Sequence, residues 1–164
     1  MSLLSRTGPI LAGLGLLALA APAIAQEASP PEFRSSDLPQ LAVEKKQDKV
    51  FRTDVIEIPL AATKQLGSRT EYILSMKAGD ALVYSLTASK PVHSEFHGAS
   101  DASKAVMFYR EETATSATHG QLVAPMTGAH GWYLANTNDT PITVRLQISG
   151  YYTVEPGLIK FSKP

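Results

Sequence analysis

From residue 54 onward, short runs of apolar residues alternate with polar residues and are interrupted by Gly, Pro, Asn and Asp. Near the C-terminus, for example, Ile142, Val144 and Leu146 are separated by single polar residues, which places the three side chains on one face of an extended chain. This period-two pattern predicts eight short strands, at residues 55–60, 70–76, 81–88, 92–97, 104–111, 120–124, 131–136 and 142–152. Residues 54–164 are therefore expected to form an all-β domain, an antiparallel β-sandwich or jelly roll.

The first 25 residues have the pattern of a secretory signal peptide. Arg6 precedes an apolar run over residues 10–21, and Ala23 and Ala25 supply the small residues that a signal peptidase requires. Residues 1–25 are thus expected to be removed, which predicts a periplasmic or secreted protein. The alternative is a retained membrane anchor, and contact with a membrane is expected only in that case.

Residues 26–53, between the signal peptide and the strands, are polar and contain three prolines. Such a composition buries little apolar surface and predicts a linker or arm. A short helix over residues 38–49 is an alternative within it, with Ser36 or Asp37 as the N-cap.

Composition and charge exclude several classes of function. The 15 basic and 15 acidic side chains give a net charge of zero, which argues against a nucleic-acid-binding protein. The chain has no cysteine, which excludes disulfides, cysteine zinc sites, iron–sulfur clusters and thiol nucleophiles.

Several segments of the predicted domain resemble a known group of proteins. These segments are residues 57–60, residues 71–80, Phe96-His97-Gly98, His130-Gly131-Trp132-Tyr133, and residues 141–144 leading to Gly150-Tyr151. They resemble the bacterial envelope proteins labelled transmembrane anchor proteins, which often lie beside heavy-metal efflux genes. The layout is also similar to GOLD-type jelly-roll sandwiches, which mediate binding rather than catalysis. The resemblance implies an envelope protein that is accessory to metal handling.

The four histidines are the candidate metal ligands, because neutral imidazole is a common ligand of Zn²⁺ and Cu²⁺. Strand alternation puts His93, Glu95 and His97 on one face, but His93 and His97 lie about 13 Å apart along a strand, too far to share one ion. A complete site therefore needs His119 or His130 from another strand.

His97 and His130 are the preferred pair, because each precedes a glycine that could let the backbone bulge and redirect the imidazole. Simple alternation opposes this pairing, since it places His130 on the core face with Trp132 and His97 on the other face. The alternative for each histidine is a buried, hydrogen-bonded side chain or a solvated one.

Trp132 and Tyr133 are candidates for a stacking platform that binds a ligand such as a sugar ring, although a single Trp in a small sandwich is more often a core residue.

No nucleophile elbow, phosphate-binding loop or zinc-protease motif occurs, so no enzymatic activity is expected. Glu111 and Glu112 are adjacent and would point to opposite faces of a strand, which prevents them from acting as an acid–base pair.

Together these features predict an exported, non-catalytic β-sandwich binding module of the cell envelope with a histidine-based metal site. The alternative is a metal-free module that binds a protein or a glycan. The sequence predicts no more of the partner than a metal ion or an envelope protein.

Overall fold

The computed structural model describes residues 45–161. Its strands are β1 (Arg52–Leu60), β2 (Arg69–Met76), β3 (Ala81–Ser100), β4 (Val106–Val123), β5 (Gly128–Ala135), β6 (Ile142–Gly150) and β7 (Thr153–Lys160). Every pairing between them is antiparallel, and residues 45–161 contain no helix, so the expected all-β antiparallel fold is confirmed. Within this range there is accordingly no helix with the length and apolarity that a membrane span requires.

The predicted signal peptide and residues 26–44 of the predicted arm lie outside the described residues. The rest of the arm has no helix at residues 45–49, and β1 begins at Arg52 rather than at residue 55. Lys49 Nζ is 2.8 Å from Oδ2 of the buried Asp80, which follows the turn between β2 and β3. This part of the arm therefore packs against the strands.

Two pairs of predicted strands are single long strands in the structure. The predicted strands at 81–88 and 92–97 both belong to β3, and those at 104–111 and 120–124 both belong to β4. The Ser-Lys-Pro segment at 89–91 has the composition of a turn, but the backbone stays extended there and absorbs the irregularity as a register shift against β4 between Thr87 and Val92.

The last strand, β7, was not predicted from the sequence, because the final predicted strand ends at residue 152. The predicted strand at 142–152 ends as β6 at Gly150, and the chain then returns as β7 to pair with β2. Pro156 and Gly157 interrupt β7 and are uncommon inside strands, which hides it in the sequence. The pairing tolerates them through a register shift between Ile73 and Leu74 of β2.

The strands form one curled sheet in the order β1-β6-β3-β5-β2-β7, with β4 paired to the other edge of β3. Residues 82–88 of β3 pair with β6, residues 93–100 pair with β5, and β4 runs beside both segments. The inner face of the sheet therefore surrounds one core, to which the strands on the β6 side and those on the β5 side both contribute. Its largest fully buried side chains are Trp132, Ile58, Leu60, Leu74, Met76, Leu86, Leu134, Leu146, Ile148, His130, Val92 and Val144.

One polar network joins β1 to the segment between β6 and β7. The Arg52 guanidinium donates to both carboxylate oxygens of Asp54, at 2.7 and 2.9 Å. The hydroxyl of the buried Tyr152 lies 2.8 Å from Asp54 Oδ2 and 3.1 Å from the Ile148 carbonyl oxygen. Hydrogen bonding from Arg52 lowers the pKa of Asp54, and burial raises the pKa of Tyr152.

Candidate metal site

Two potential metal ligands lie side by side on the outer face of β3. His93 and Glu95 are two residues apart, so their side chains point the same way, while Val92, Ser94 and Phe96 between and beside them are buried. His93 Nε2 is 2.7 Å from Glu95 Oε1, and the two side chains are 20% and 25% exposed. An ionised carboxylate only accepts hydrogen bonds, so the imidazole donates its Nε2–H to Glu95.

Glu111 adds a third ligand from β4. It lies directly opposite Glu95 in the β3–β4 register, and one ligand atom from each of His93, Glu95 and Glu111 lies within 4.8 Å of the other two. We call these three residues the β3–β4 cluster. A tetrahedral ion with bonds near 2.1 Å holds its ligand atoms about 3.4 Å apart, so small side-chain rotations would bring the cluster to coordination distance.

The sequence did not indicate Glu111 as a ligand. As expected from strand alternation, Glu111 and Glu112 belong to different faces, since Glu112 lies opposite Ser94, which is buried on the inner face. The pairing of β3 with β4, however, shifts register between Phe96 and His97, which lies between the turn and Glu95. The residue of β4 that faces Glu95 therefore cannot be found by counting outward from the turn between the two strands.

Tyr133 forms one wall beside the β3–β4 cluster. It lies on β5 directly across from Glu95, on the side away from Glu111. Its ring meets the His93 ring edge-on with 6.0 Å between centroids, and Phe161 contacts its ring at 6.1 Å. Tyr133, predicted from the sequence as a ligand-binding residue, thus lies next to the candidate metal ligands.

Two other histidines predicted as ligands lie apart from the cluster. His97 is on the same outer face, where its Nε2 is 4.0 Å from a carboxylate oxygen of Glu71 on β2 and its ring contacts the exposed Phe108. His119 is exposed on β4, and its Nδ1 is 3.0 Å from the hydroxyl of Ser85. Neither is among the described groups of three side chains with the spacing of a metal site.

His130 is buried on the inner face and both of its ring nitrogens are occupied. Nε2 is 3.0 Å from the carbonyl oxygen of Met126, to which it must donate, and Nδ1 accepts from the Tyr109 hydroxyl at 2.8 Å. Burial lowers the pKa of His130 and raises that of Tyr109 to about 12. The ring is therefore neutral, hydrogen-bonded and inaccessible to a metal ion. This matches the alternative prediction for this histidine, a buried and hydrogen-bonded side chain.

The β3–β5 register contradicts the prediction that His97 and His130 bind the same metal ion. His97 lies opposite Gly131 and Gly98 opposite His130, with no register shift between the strands, so the two imidazoles point to opposite faces and cannot share an ion. The glycines have a packing role instead. A Cβ at Gly98 would collide with the Tyr109 hydroxyl and His130 Nδ1, and one at Gly131 would collide with the Tyr72 carbonyl oxygen.

The expectation that Trp132 presents a stacking surface is also corrected. Its side chain is fully buried and stacks on Phe96, with 4.3 Å between centroids and 4° between planes, while Tyr84 packs edge-on at 5.2 Å. Trp132 is therefore the central aromatic residue of the core, and of the two predicted ligand-binding aromatics only Tyr133 is on the outer face.

No protein-family model matches this sequence, and no curated protein shows significant similarity to it.

Proposed function

We propose that this protein is an exported, non-catalytic binding module of the cell envelope that holds Zn²⁺ or Cu²⁺ through His93, Glu95 and Glu111. The observation that carries the proposal is the convergence of one imidazole and two carboxylates from two different strands. An accessory role in metal handling, as the resemblance described above implies, is part of this proposal.

The chemistry of the β3–β4 cluster favours a borderline divalent ion. One nitrogen and two oxygen donors suit Zn²⁺ or Cu²⁺, and Cu²⁺ generally binds such ligand sets more tightly. An ion on His93 Nε2 would replace the hydrogen bond to Glu95, and the ring would then carry its proton on Nδ1. Because metal ligands bind in their deprotonated forms, low pH would weaken binding. Three protein ligands leave a coordination position for water or for a ligand from a partner, which suits uptake and transfer of an ion.

Export and the finer architecture belong to the same proposal. Three features of residues 1–25 support cleavage before Gln26 and delivery to the periplasm: the positive charge of Arg6, the apolar run that follows it, and the small residues Ala23 and Ala25. The way in which β3 and β4 continue through both halves of the curled sheet, around one core, supports a jelly-roll sandwich. The mass of the exported protein tests cleavage, since retention of residues 1–25 would contradict it.

The experiment that tests metal binding is calorimetric titration of the chelator-stripped, exported protein with Zn²⁺ and Cu²⁺. His93→Ala and Glu111→Gln remove ligands, while His97→Ala and Glu71→Gln are matched controls on the same face. We expect one-to-one binding that is lost in the first two variants and retained in the controls. Heat no greater than dilution from folded wild-type protein, or loss of binding in the control variants instead, would overturn the proposal.

A metal-free interaction module is the second candidate, and two observations favour it. Val106, Met107 and Phe108 are consecutive exposed residues at the start of β4, with 56%, 47% and 60% of their surface accessible. Among the described strands, β4 pairs only with β3, which leaves its other edge open for β-strand addition. A photocrosslinking side chain at Met107 should then capture a partner in intact cells that the same group at Val123, exposed at the other end of β4, does not capture.

A further inference from the structure

The free edge of β4 is the longest open strand edge in the described part of the sheet. Among the described strands, the 18-residue β4 pairs only with β3. Exposed apolar side chains lie near both of its ends, Val106 and Phe108 at the start and Val123 at the end. A long open edge of this kind is a template for pairing with a strand of another chain.

The charges of β4 indicate which strand fits this edge. Arg110, Glu111 and Glu112 lie in its first half, whereas residues 113–123 contain no Asp, Glu, Lys or Arg. Parallel pairing of two β4 strands in register would place glutamate against glutamate, which is destabilising. Antiparallel pairing instead places the charged half of each strand against the uncharged half of the other and brings their apolar ends together. The edge is therefore complementary to a second copy of β4 that runs in the opposite direction.

The faces of β4 are matched about its centre. Glu112, Thr115 and Thr118 each lie opposite a buried, inward-facing residue of β3, and a register shift within each interval keeps all three on the inner face. Glu111 and His119, which are four residues before and after Thr115, lie on the outer face. A two-fold axis at Thr115 therefore places inward side chains opposite inward ones and outward side chains opposite outward ones, as antiparallel pairing requires.

This pairing would also satisfy two buried polar atoms of β4. Within the described residues, three buried side-chain atoms have no hydrogen-bond partner, and Glu112 Oε2 and Thr118 Oγ1 are two of them. The two-fold axis places Glu112 of each copy directly opposite Thr118 of the other, and the Cβ atoms of opposite residues are about 4.5–5.5 Å apart. At that distance the Thr118 hydroxyl can donate to the Glu112 carboxylate.

On the outer face, the same axis places His119 of each copy directly opposite Glu111 of the other. We infer that two copies of this chain pair antiparallel along β4, and that His119 of each copy supplies the fourth metal ligand to the β3–β4 cluster of the other. The contact of His119 with Ser85 is made by Nδ1, so Nε2 is the nitrogen that binds the ion. An Nδ1–H donated to the Ser85 hydroxyl would orient the imidazole for this role. The inference rests on the proposed function, because it completes that three-ligand site to the four ligands of a closed zinc site.

Sedimentation of the chelator-stripped, exported protein with and without Zn²⁺ tests the inference, with zinc binding measured by calorimetry on the same samples. We expect one ion per chain and a dimer that is at least about tenfold tighter with Zn²⁺, because an ion that gains a fourth ligand favours the paired state. His119→Ala should lose this effect of Zn²⁺ on dimerisation. His97→Ala, which removes a histidine of the outer face away from the β4 edge, should dimerise as the wild type does.

Disulfide formation tests the register of the pair. The chain has no cysteine, so Thr115→Cys introduces a single thiol at the two-fold axis, where it meets its counterpart in the second copy. In a glutathione redox buffer with Zn²⁺, this variant should become a covalent dimer. Thr153→Cys, at an exposed position at the start of β7, is the control and should remain largely uncrosslinked.

The results separate this inference from the proposed function. Zinc binding by a protein that stays monomeric would overturn the dimer and leave the proposed metal site intact, whereas absence of zinc binding would overturn both. A folded His119→Ala variant that dimerises with Zn²⁺ as the wild type does would also overturn the inference, as would crosslinking at Thr115 no faster than at Thr153.

Discussion

Glu95 on β3 lies directly opposite Glu111 on β4, so that two carboxylates face each other on the outer face of the sheet. Like charges at directly opposite positions of an antiparallel pair are destabilising. His93 stabilises the carboxylate of Glu95 through their 2.7 Å hydrogen bond. A divalent cation would neutralise the repulsion between the two carboxylates, which is why the Glu95–Glu111 pair is central to the proposed function.

Replacing Glu111 should separate stability from metal binding. We expect Glu111→Gln to raise the free energy of unfolding of the metal-free protein by up to about 1 kcal/mol, because it removes the like-charge contact with Glu95. The same variant should lose the stabilisation that metal gives the wild type, about 2.7 kcal/mol at a metal concentration a hundredfold above the Kd. Denaturant unfolding with a chelator and then with Zn²⁺ measures both effects.

The control for this prediction is Glu71→Gln, on the same face beside His97. It should leave the gain in stability from Zn²⁺ unchanged. If Glu111→Gln destabilises the metal-free protein, or still gains the full stabilisation from Zn²⁺, the assignment of Glu111 is wrong.

The buried His130 should make the protein less stable in mild acid. Its pKa is lowered in the folded state from the usual 6.5, so the unfolded chain binds the proton more readily. The stability that the neutral ring contributes is therefore complete above about pH 6.5 and declines as the pH falls towards the folded pKa. Unfolding curves at pH 7.5 and 5.5 should show this loss, and His130→Gln should reduce it. An unchanged slope in that variant would contradict the account.

The hydrogen bond from Tyr109 to His130 should contribute measurably to stability. Tyr109→Phe keeps the ring but leaves Nδ1 of the buried histidine without a donor, which should cost about 1–3 kcal/mol. Tyr133→Phe is the matched control, since Tyr133 is a neighbouring tyrosine on the outer face, and it should cost less than about 0.5 kcal/mol. Equal effects of the two changes would argue that the buried hydrogen bond contributes nothing.

Gly98→Ala should destabilise the fold through the same pair of side chains. The added Cβ would collide with the Tyr109 hydroxyl and with His130 Nδ1, and overpacking of this kind typically costs about 1–3 kcal/mol. Because Tyr109→Phe removes one of the colliding atoms, the double variant should lose less stability than the sum of the single variants. Strict additivity in a double-mutant cycle would show that the two sites do not interact.

The acid stability of β1 should depend on Asp54. Arg52 lowers the pKa of this carboxyl below its usual 3.8, so the contribution of Asp54 is complete above about pH 3.8 and is lost as the pH falls through the lower folded value. Asp54→Asn should therefore flatten the loss of stability below pH 4. Tyr152→Phe, which removes the buried hydroxyl that contacts Asp54, should cost about 1 kcal/mol at neutral pH. A variant with Asn at 54 that keeps the wild-type acid profile would refute this role.

The alternation of side chains was predictable wherever a strand is regular. The sequence correctly predicted that His93, Glu95 and His97 share the face opposite the core, because this follows from the two-residue period alone. It also predicted from the same period that His130 would share a face with Trp132.

The relationship between strands was not predictable in the same way. The neighbour of Glu95 on β4 depends on the register shift between Phe96 and His97, and the β3–β4 turn at 101–105 does not reveal it. The role of Gly98 likewise depends on Tyr109, which reaches it across a strand pairing. The candidate metal site therefore required the structure, although two of its three ligands were visible in the sequence.

The most direct test of the proposed function is a crystal structure of the protein soaked with Zn²⁺, with anomalous scattering measured at the zinc edge. We expect one strong peak within about 2.0–2.2 Å of His93 and of a carboxylate oxygen of both Glu95 and Glu111, with the His93–Glu95 hydrogen bond replaced by the ion. A well-diffracting crystal with no peak at these residues, or with the ion bound between His97 and Glu71 instead, would contradict it.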